Sequence, residues 1–226
     1  MARRFDFTVE TMEDLADAVE RFGIVPLFSN SIPGFSVEEH VRPRAWFSEE
    51  PGVWEWKGPV IRQTGCAYGK LFERKAAFVS REVYTDLANY RRDGYDMDSR
   101  WDEGLARYED KRLFDLVDGN APVLSGRLKQ LGDYRKGGRK GFEPAMLRLQ
   151  SMCYVLVRDF VYQQDRWGRL YGFGVAEYST PEKTMGEAFT GRVYSREPEE
   201  SRERLMDLLR SLHPEADEAA LARFLG

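Results

Sequence analysis

Residues 142–178 read FEPAMLRLQSMCYVLVRDFVYQQDRWGRLYGFGVAEY and contain two patterns in succession. Spacings of 4, 3, 4 and 3 separate five apolar residues of the first part: Phe142, Met146, Leu149, Cys153 and Leu156. This spacing predicts one helix with a single apolar face. Residues 159–164 and 169–178 are rich in the aromatic and β-branched side chains of strands, and residues 165–168 between them are a hairpin signal. The stretch therefore predicts a helix that leads into a β-hairpin.

Two further helices are predicted immediately before this stretch. Residues 111–117 (KRLFDLV) carry four apolar side chains at helical spacing. Pro122 opens a second helix that ends at Gly132, because proline is tolerated in the first turn of a helix and glycine is common after the last. Three helices followed by a hairpin is the element order of a winged helix-turn-helix domain, which we predict over residues 105–182.

The remaining residues predict two other parts of an α+β fold. Residues 1–100 are expected to form an aromatic-rich N-terminal α+β domain, with a second, tandem winged helix as one alternative. Residues 183–226 are expected to form a C-terminal helical extension. Helices are predicted at 11–23, 81–92, 198–212 and 219–225, and in a short segment after Ser36. Strands are predicted at 53–57 and 76–80, a loop at 25–35, and an exposed, charge-dense segment at 91–108.

Composition argues against several classes of protein. The 226 residues contain 34 Lys+Arg and 38 Asp+Glu, for a formal net charge of -4, and 42% are hydrophobic, so a disordered chain is not expected. No apolar run approaches the roughly 20 residues that span a bilayer, and the start MARRFDFTVE lacks a signal-peptide pattern. Two cysteines are too few for a disulfide framework. We therefore expect a cytoplasmic protein with no membrane partner, and the sequence leaves its oligomeric state open.

Basic residues concentrate on the elements that a winged helix presents to DNA. In such domains the third helix enters the major groove, while the hairpin and the flanking loops contact phosphates. The candidate DNA-binding residues are Arg135, Lys136, Arg139, Lys140, Arg148, Arg166 and Arg169. Because a local patch attracts phosphate whatever the net charge of the chain, they predict double-stranded DNA as a partner. The alternative is that these are ordinary solvated charges on a domain that contacts proteins.

Aromatic residues concentrate at 46–72 and raise a second possibility. If residues 53–57 form a strand, Trp54 and Trp56 point to one face of it. Together with Tyr68, these rings are candidates for stacking against an extruded base, because every base offers a π-face. The alternative is that the same rings build the hydrophobic core of the N-terminal domain.

No metal or cofactor site is predicted. The acidic residues at 93–103 do not have the spacing of an EF-hand loop, and arginines are interleaved with them. His40 and His213 lie in separate predicted helical segments, each without a neighbouring Cys or His. The sequence also contains no phosphate-binding glycine motif of the Walker or dinucleotide-binding type.

Residues 54–80, 120–131 and 141–174 resemble the AlkZ-related proteins, distant relatives of the AlkZ/YcaQ-like DNA glycosylases. The resemblance implies a winged-helix architecture and a link to the repair of alkylated or crosslinked DNA. The family's catalytic motif is a Gln-x-Gln or Gln-x-Asp triplet. The nearest candidates here are Gln63 and Gln150, while residues 163–165 (QQD) have the spacing but fall at the predicted hairpin tip.

Three functions stay open at this point. The first is a winged-helix DNA-binding protein related to the glycosylases. The second is a DNA glycosylase in which Gln63 or Gln150 orients water and the aromatic cluster receives a base. The third is a non-catalytic protein-interaction or structural module with a winged-helix fold.

Overall fold

The computed structural model describes residues 4–42, 46, 52–167 and 170–226. The fold is mixed α/β, as the sequence predicts. The helices are α1 (Met12–Phe22), α2 (Val37–His40), α3 (Val53–Thr64), α4 (Arg81–Arg92), α5 (Met97–Asp102), α6 (Tyr108–Asn120), α7 (Ser125–Leu131), α8 (Phe142–Ser151), α9 (Pro181–Met185), α10 (Glu187–Thr190), α11 (Pro198–Leu212) and α12 (Glu218–Leu225). The strands are β1 (Ile24–Pro26), β2 (Ala67–Phe72), β3 (Lys75–Val79), β4 (Val123–Leu124), β5 (Leu156–Gln164) and β6 (Leu170–Ser179). Within the described ranges, no helix is long and apolar enough to cross a membrane.

Local sequence signals place several helix ends correctly. Thr11 caps α1 in a capping box with Asp14, and Gly23 ends it at φ 79°. The predictions for α2, α4, α11 and α12 are confirmed to within a residue or two. Helix signals of this kind are local, because they depend on side chains that hydrogen-bond to backbone groups only a few residues away.

A single antiparallel sheet runs across the molecule in the order β1-β3-β2-β5-β6-β4. The predicted hairpin is present as β5 and β6, and β4 extends it by pairing Val123 with Tyr178. The first three strands join this hairpin where Tyr68 on β2 pairs with Val157 on β5. Within the sheet, the first three strands and the β4–β5–β6 group therefore join through this one residue pair.

Two groups of buried apolar residues form the core. The smaller group is drawn from residues 97–155 and fills the space between α6, α7 and α8. The larger group joins α1, α3, β2 and β3 to the C-terminal helices α11 and α12. Residues 198–225 therefore pack against the N-terminal half, chiefly on α4.

The predicted strand at residues 53–57 is wrong, because this segment is the first turn and a half of α3. Its alternation covers too few residues to outweigh the helical spacing of Val53, Val60 and Ile61, which all point into the core. Glu55 accepts a hydrogen bond from the Gly52 N–H (2.9 Å), which stabilises the start of the helix.

The long helix predicted from Phe142 to Leu156 is also wrong in its last third. The helix ends at Ser151, and Cys153 has φ 60°, so the chain turns before Leu156 starts β5. The five apolar residues are nevertheless all buried, because both the helix and the strand point them inward. Two further predictions differ from the structure: Pro122 precedes the short strand β4 instead of opening α7, and β1 overlaps the start of the predicted loop at 25–35.

The predicted exposed segment at 91–108 contains the most deeply buried charge of the described residues. Arg92 is 1% exposed. Its guanidinium donates hydrogen bonds to Glu182 Oε1 (2.6 Å) and the Tyr194 hydroxyl (3.0 Å), and a third to the Cys153 carbonyl (2.7 Å). Burial disfavours the charge, but Glu182 holds the pKa of Arg92 above its usual value.

Its neighbour Arg91 is half-buried, and its guanidinium also makes hydrogen bonds within the protein. It donates to the carbonyls of Leu71 and Ser151 and, at 2.7 Å, to that of Leu225. These acceptors belong to β2, to the end of α8 and to the end of α12. One side chain therefore holds three separate elements together.

We predict that Arg92→Met destabilises the protein by about 3–5 kcal/mol, because it leaves Glu182 without its cationic partner and removes the shorter of the two hydrogen bonds to the Cys153 carbonyl, which then keeps only the Tyr84 hydroxyl as a donor. Urea unfolding measures the effect. Arg223→Met is the matched control, since Arg223 is exposed on α12, and it should change the free energy of unfolding by at most about 0.5 kcal/mol. Similar unfolding free energies for the two variants would contradict the bridging role of Arg92.

The two histidines, which lie in separate segments of the sequence, both contact the ring of Phe5. The ring centroids of His40 and His213 each lie 5.6 Å from that of Phe5. Burial, together with the nearby His40, lowers the pKa of His213 to about 4.

This shift predicts acid sensitivity with a defined sign. Unfolded His213 takes up a proton near pH 6.5 but the folded side chain only near pH 4, so stability falls as the pH is lowered between these values. His213→Phe should flatten that part of the curve of unfolding free energy against pH. An unchanged pH dependence in the variant would show that other groups cause the acid sensitivity.

Candidate nucleic-acid interface

The loop at residues 133–141 connects α7 to α8 and is tightly closed. The N–H of Arg139 donates to the Asp133 carbonyl at 2.5 Å. A Cβ at Gly138 would lie 2.2 Å from that same carbonyl oxygen, so only glycine fits there. Tyr134 anchors the loop by packing its ring against Phe142, with the centroids 5.3 Å apart. The basic side chains consequently project from a constrained backbone.

Most of the positive charge on this loop is uncompensated. Arg135, Lys136 and Lys140 are exposed, and none has a carboxylate partner within the described ranges. Arg139 lies 3.7 Å from Glu109, a long and partly exposed ion pair. This loop is therefore the part of the predicted interface that remains free to attract an anion.

Arg148, predicted as a DNA contact on α8, is engaged within the protein. Its guanidinium donates to both carboxylate oxygens of Asp110, at 2.8 Å from Nε and 2.5 Å from an Nη. This bidentate pair raises the pKa of Arg148. The charge of Arg148 is consequently neutralised by a neighbour on α6.

The tip of the β5–β6 hairpin carries an exposed cation and an exposed ring. The Arg166 guanidinium carbon lies 3.9 Å from the centre of the Trp167 ring, and Trp167 is 67% exposed. Asp165 accepts a hydrogen bond from the Trp167 N–H at 2.8 Å. Arg169, the remaining predicted DNA contact, lies outside the described residues.

The predicted base-stacking residues are dispersed over two elements. Trp54 and Trp56 lie on α3 and are half-buried, and Trp54 packs against Trp46 with ring centroids 5.4 Å apart. Tyr68 lies on β2 and is only 6% exposed, so its ring has no free face for a base. The role of Trp54 and Trp56 in stacking stays a prediction.

Lys57 lies between the two aromatic groups. Its Nζ is 4.6 Å from the centre of the Trp54 ring and 4.3 Å from that of Phe160. Phe160 in turn contacts Tyr68, with centroids 5.5 Å apart. Burial lowers the pKa of Lys57 to about 8.

The two candidate catalytic glutamines do not come together. Gln63 is exposed on α3. Gln150 is buried on α8, where its Oε1 accepts from the Lys70 N–H (3.0 Å) and its Nε2 donates to the Met146 carbonyl (3.4 Å). A Cβ at Gly69 would lie 2.9 Å from Gln150 Oε1, so this glycine makes the contact possible. Their catalytic role stays a prediction.

Beside α8 lies a feature that the sequence reasoning missed. A cleft of about 570 Å³, here called the arginine cleft, is formed by the β2–β3 turn, residues 97–110 and the solvent face of α8. Four arginines line it: Arg74, Arg100, Arg107 and Arg148. The signal available in the sequence was Leu105, an apolar residue between Arg100 and Arg107 in a charge-dense segment, because exposed apolar residues among charges often mark a binding surface.

A family model described as AlkZ related matches residues 9–226. The chain belongs to the AlkZ-related family. The match confirms the resemblance read from the sequence, and it spans the 133–141 loop, the hairpin and the arginine cleft of this AlkZ-related protein. No curated protein and no solved structure matches the chain.

The position of Gln150 predicts a structural effect of its removal. Gln150→Ala leaves the part-buried Lys70 N–H without an acceptor and should destabilise the protein by about 1–3 kcal/mol in urea unfolding. Gln63→Ala is the control on an exposed helical position and should change the free energy of unfolding by less than about 0.5 kcal/mol. Equal stabilities would mean that Gln150 does not hold α8 to β2.

Proposed function

We propose that the protein binds double-stranded DNA through a winged-helix domain formed by residues 108–179. The order of elements in this region is α6, β4, α7, α8, β5 and β6, and β4 pairs with β6. Three helices with a small antiparallel sheet, two strands of which form a terminal hairpin, are the elements of such a domain. In this proposal α8 is the helix nearest the major groove and the β5–β6 hairpin is the wing.

The observation that carries the proposal is the uncompensated charge on the 133–141 loop. Arg135, Lys136 and Lys140 project from a constrained loop directly before α8, and the overall charge of -4 does not cancel their local field. Phosphate contacts from the loop and the wing would set the position of the duplex. Arg166 at the wing tip supplies a further cation on the same domain.

The solvent face of α8 favours binding with little sequence preference. Pro144 and Leu147 offer no hydrogen bonds to base edges, and the Arg148 guanidinium is held by Asp110. Base readout from this helix is consequently sparse, whereas the phosphate contacts are available. The proposed binding is therefore mainly electrostatic and sensitive to salt.

Membership of the AlkZ-related family supports a role on alkylated or crosslinked DNA, and we propose binding without base excision. The reason is the state of the candidate catalytic groups. Both polar atoms of the Gln150 amide are used in internal hydrogen bonds, and Gln63 lies on a different element. The internal use of the Gln150 amide and the exposed position of Gln63 support binding without base excision.

A quadruple alanine variant of Arg135, Lys136, Arg139 and Lys140 tests the proposal. We expect the affinity for a duplex to fall by about tenfold or more, and the slope of log K against log salt to flatten by about 2–4, since each lost phosphate contact removes close to one unit. Fluorescence anisotropy between about 50 and 200 mM salt measures both quantities. The charge-matched control replaces four exposed arginines outside residues 105–182 with alanine: Arg21, Arg42, Arg192 and Arg223.

The same assay distinguishes the competing functions. Unchanged affinity and slope in the quadruple variant would contradict the proposed interface. Release of a base from alkylated duplex, lost in Gln63→Ala or Gln150→Ala, would instead support the glycosylase hypothesis. Absence of any duplex binding, with a stable oligomer in light scattering, would favour the protein-interaction module.

A further inference from the structure

Most of the positive charge in the arginine cleft is not balanced by carboxylates of the described residues. Of its four arginines, only Arg148 is paired, with Asp110, which is also the one acidic residue among the described residues that line the cleft. Arg74, Arg100 and Arg107 form no ion pair with a carboxylate in the described part of the chain. Three guanidinium groups consequently face one cavity without a counter-charge.

The rest of the lining is apolar. Met97, Leu149 and Tyr154 are buried, and the Tyr154 hydroxyl is already used, because it donates to the Tyr95 carbonyl at 2.8 Å. Leu105 is 52% exposed at the rim, in a segment otherwise dominated by charge. A volume of about 570 Å³ lies within the range of sites that take small organic ligands.

Arg74 occupies a position whose backbone favours glycine. The β2–β3 turn has two central residues, Glu73 and Arg74, with φ values of 46° and 63°. Glu73 has an internal role, since its carboxylate accepts from the Ser31 N–H at 3.2 Å. Arg74 has no such internal partner within the described ranges, and it lines the cleft.

We propose that the arginine cleft binds a nucleoside monophosphate, either as the free nucleotide or as the 5′-phosphorylated end of a DNA strand. The phosphate would contact Arg100 and Arg107, with Arg74 opposite them, since planar guanidinium groups bind phosphate with two parallel hydrogen bonds. The base would lie against the apolar surface of Leu105, which with the methionine side chains of the lining suits a flat aromatic body. A bare phosphate would leave that apolar surface unused.

The cleft shares the solvent face of α8 with the proposed DNA interface, since Pro144, Leu147 and Arg148 belong to both, but its unpaired arginines lie on other elements. The 133–141 loop contributes no residue to the cleft lining described here, and Arg148 is the one cleft residue that was also predicted to contact DNA. A protein that binds duplex DNA through the loop could lack a nucleotide site, and the reverse also holds. The two therefore need separate variants.

Isothermal titration of the full chain tests the proposal with dAMP, deoxyadenosine, inorganic phosphate and a short DNA strand with or without a 5′-phosphate. We expect dAMP or the phosphorylated strand to bind at least tenfold more tightly than the matching ligand without phosphate, and inorganic phosphate to bind more weakly than either. The double variant Arg100→Gln, Arg107→Gln should weaken this binding by at least tenfold. Arg223→Gln, an exposed change on α12, should leave it unchanged.

The variants also separate this proposal from DNA binding in general. The quadruple loop variant should retain dAMP or strand-end binding while losing duplex affinity. Arg74→Gly, which suits the backbone of the turn, should keep or raise the Tm and still weaken ligand binding, so that loss of binding is not a folding defect. Absence of binding to both dAMP and the phosphorylated strand, or binding unaffected by the cleft variants, would overturn the inference whatever the duplex result.

Discussion

Two adjacent arginines on α4, the buried Arg92 and the half-buried Arg91, are the constraint on which the rest of the molecule depends. Arg91 and Arg92 are adjacent in the chain and therefore leave the helix in different directions. Arg91 reaches the carbonyls of Leu71, Ser151 and Leu225, and Arg92 reaches Glu182 and the Cys153 carbonyl. A buried guanidinium is costly unless its N–H groups find acceptors. Both Nη atoms of Arg92 are paired, whereas its Nε has no partner among the described residues, so the Nη contacts are the ones that hold these segments in place.

This pair explains why α8 has a defined position. Its last residue, Ser151, and the turn residue Cys153 both present carbonyls to the arginines, while Gln150 binds the Lys70 N–H on β2. The left-handed conformation of Cys153 breaks the helix at the point where those carbonyls are needed. The solvent face of α8, and with it one wall of the arginine cleft, is consequently fixed relative to the β2–β3 turn that supplies Arg74.

The sequence predicted what local patterns determine and missed what distant partners determine. Helices α1, α4 and α11 and the β5–β6 hairpin follow from capping residues, periodicity and turn signals, and these were predicted correctly. The burial of Arg92 was missed because its partner Glu182 lies 90 residues away in the chain. The break at Ser151 was missed because the apolar spacing of residues 142–156 suits a continuous helix equally well. The misread strand at 53–57 shows that alternation over five residues is weak evidence against helical packing.

In the candidate site, too, local sequence predicts some features, and partners distant in the chain determine the others. The basic loop at 133–141 could be predicted because its charges are adjacent in sequence, but their availability depends on where the carboxylates lie. Asp110 neutralises Arg148, whereas Arg100 and Arg107, which flank the exposed Leu105, have no such partner in the described part of the chain. Sequence alone ranks Arg148 above Arg100 and Arg107 as an anion contact, and the fold reverses that order. Because an anion is attracted by charge that remains unpaired after folding, the pairing of Asp110 with Arg148 leaves Arg74, Arg100 and Arg107 as the cations available in the cleft.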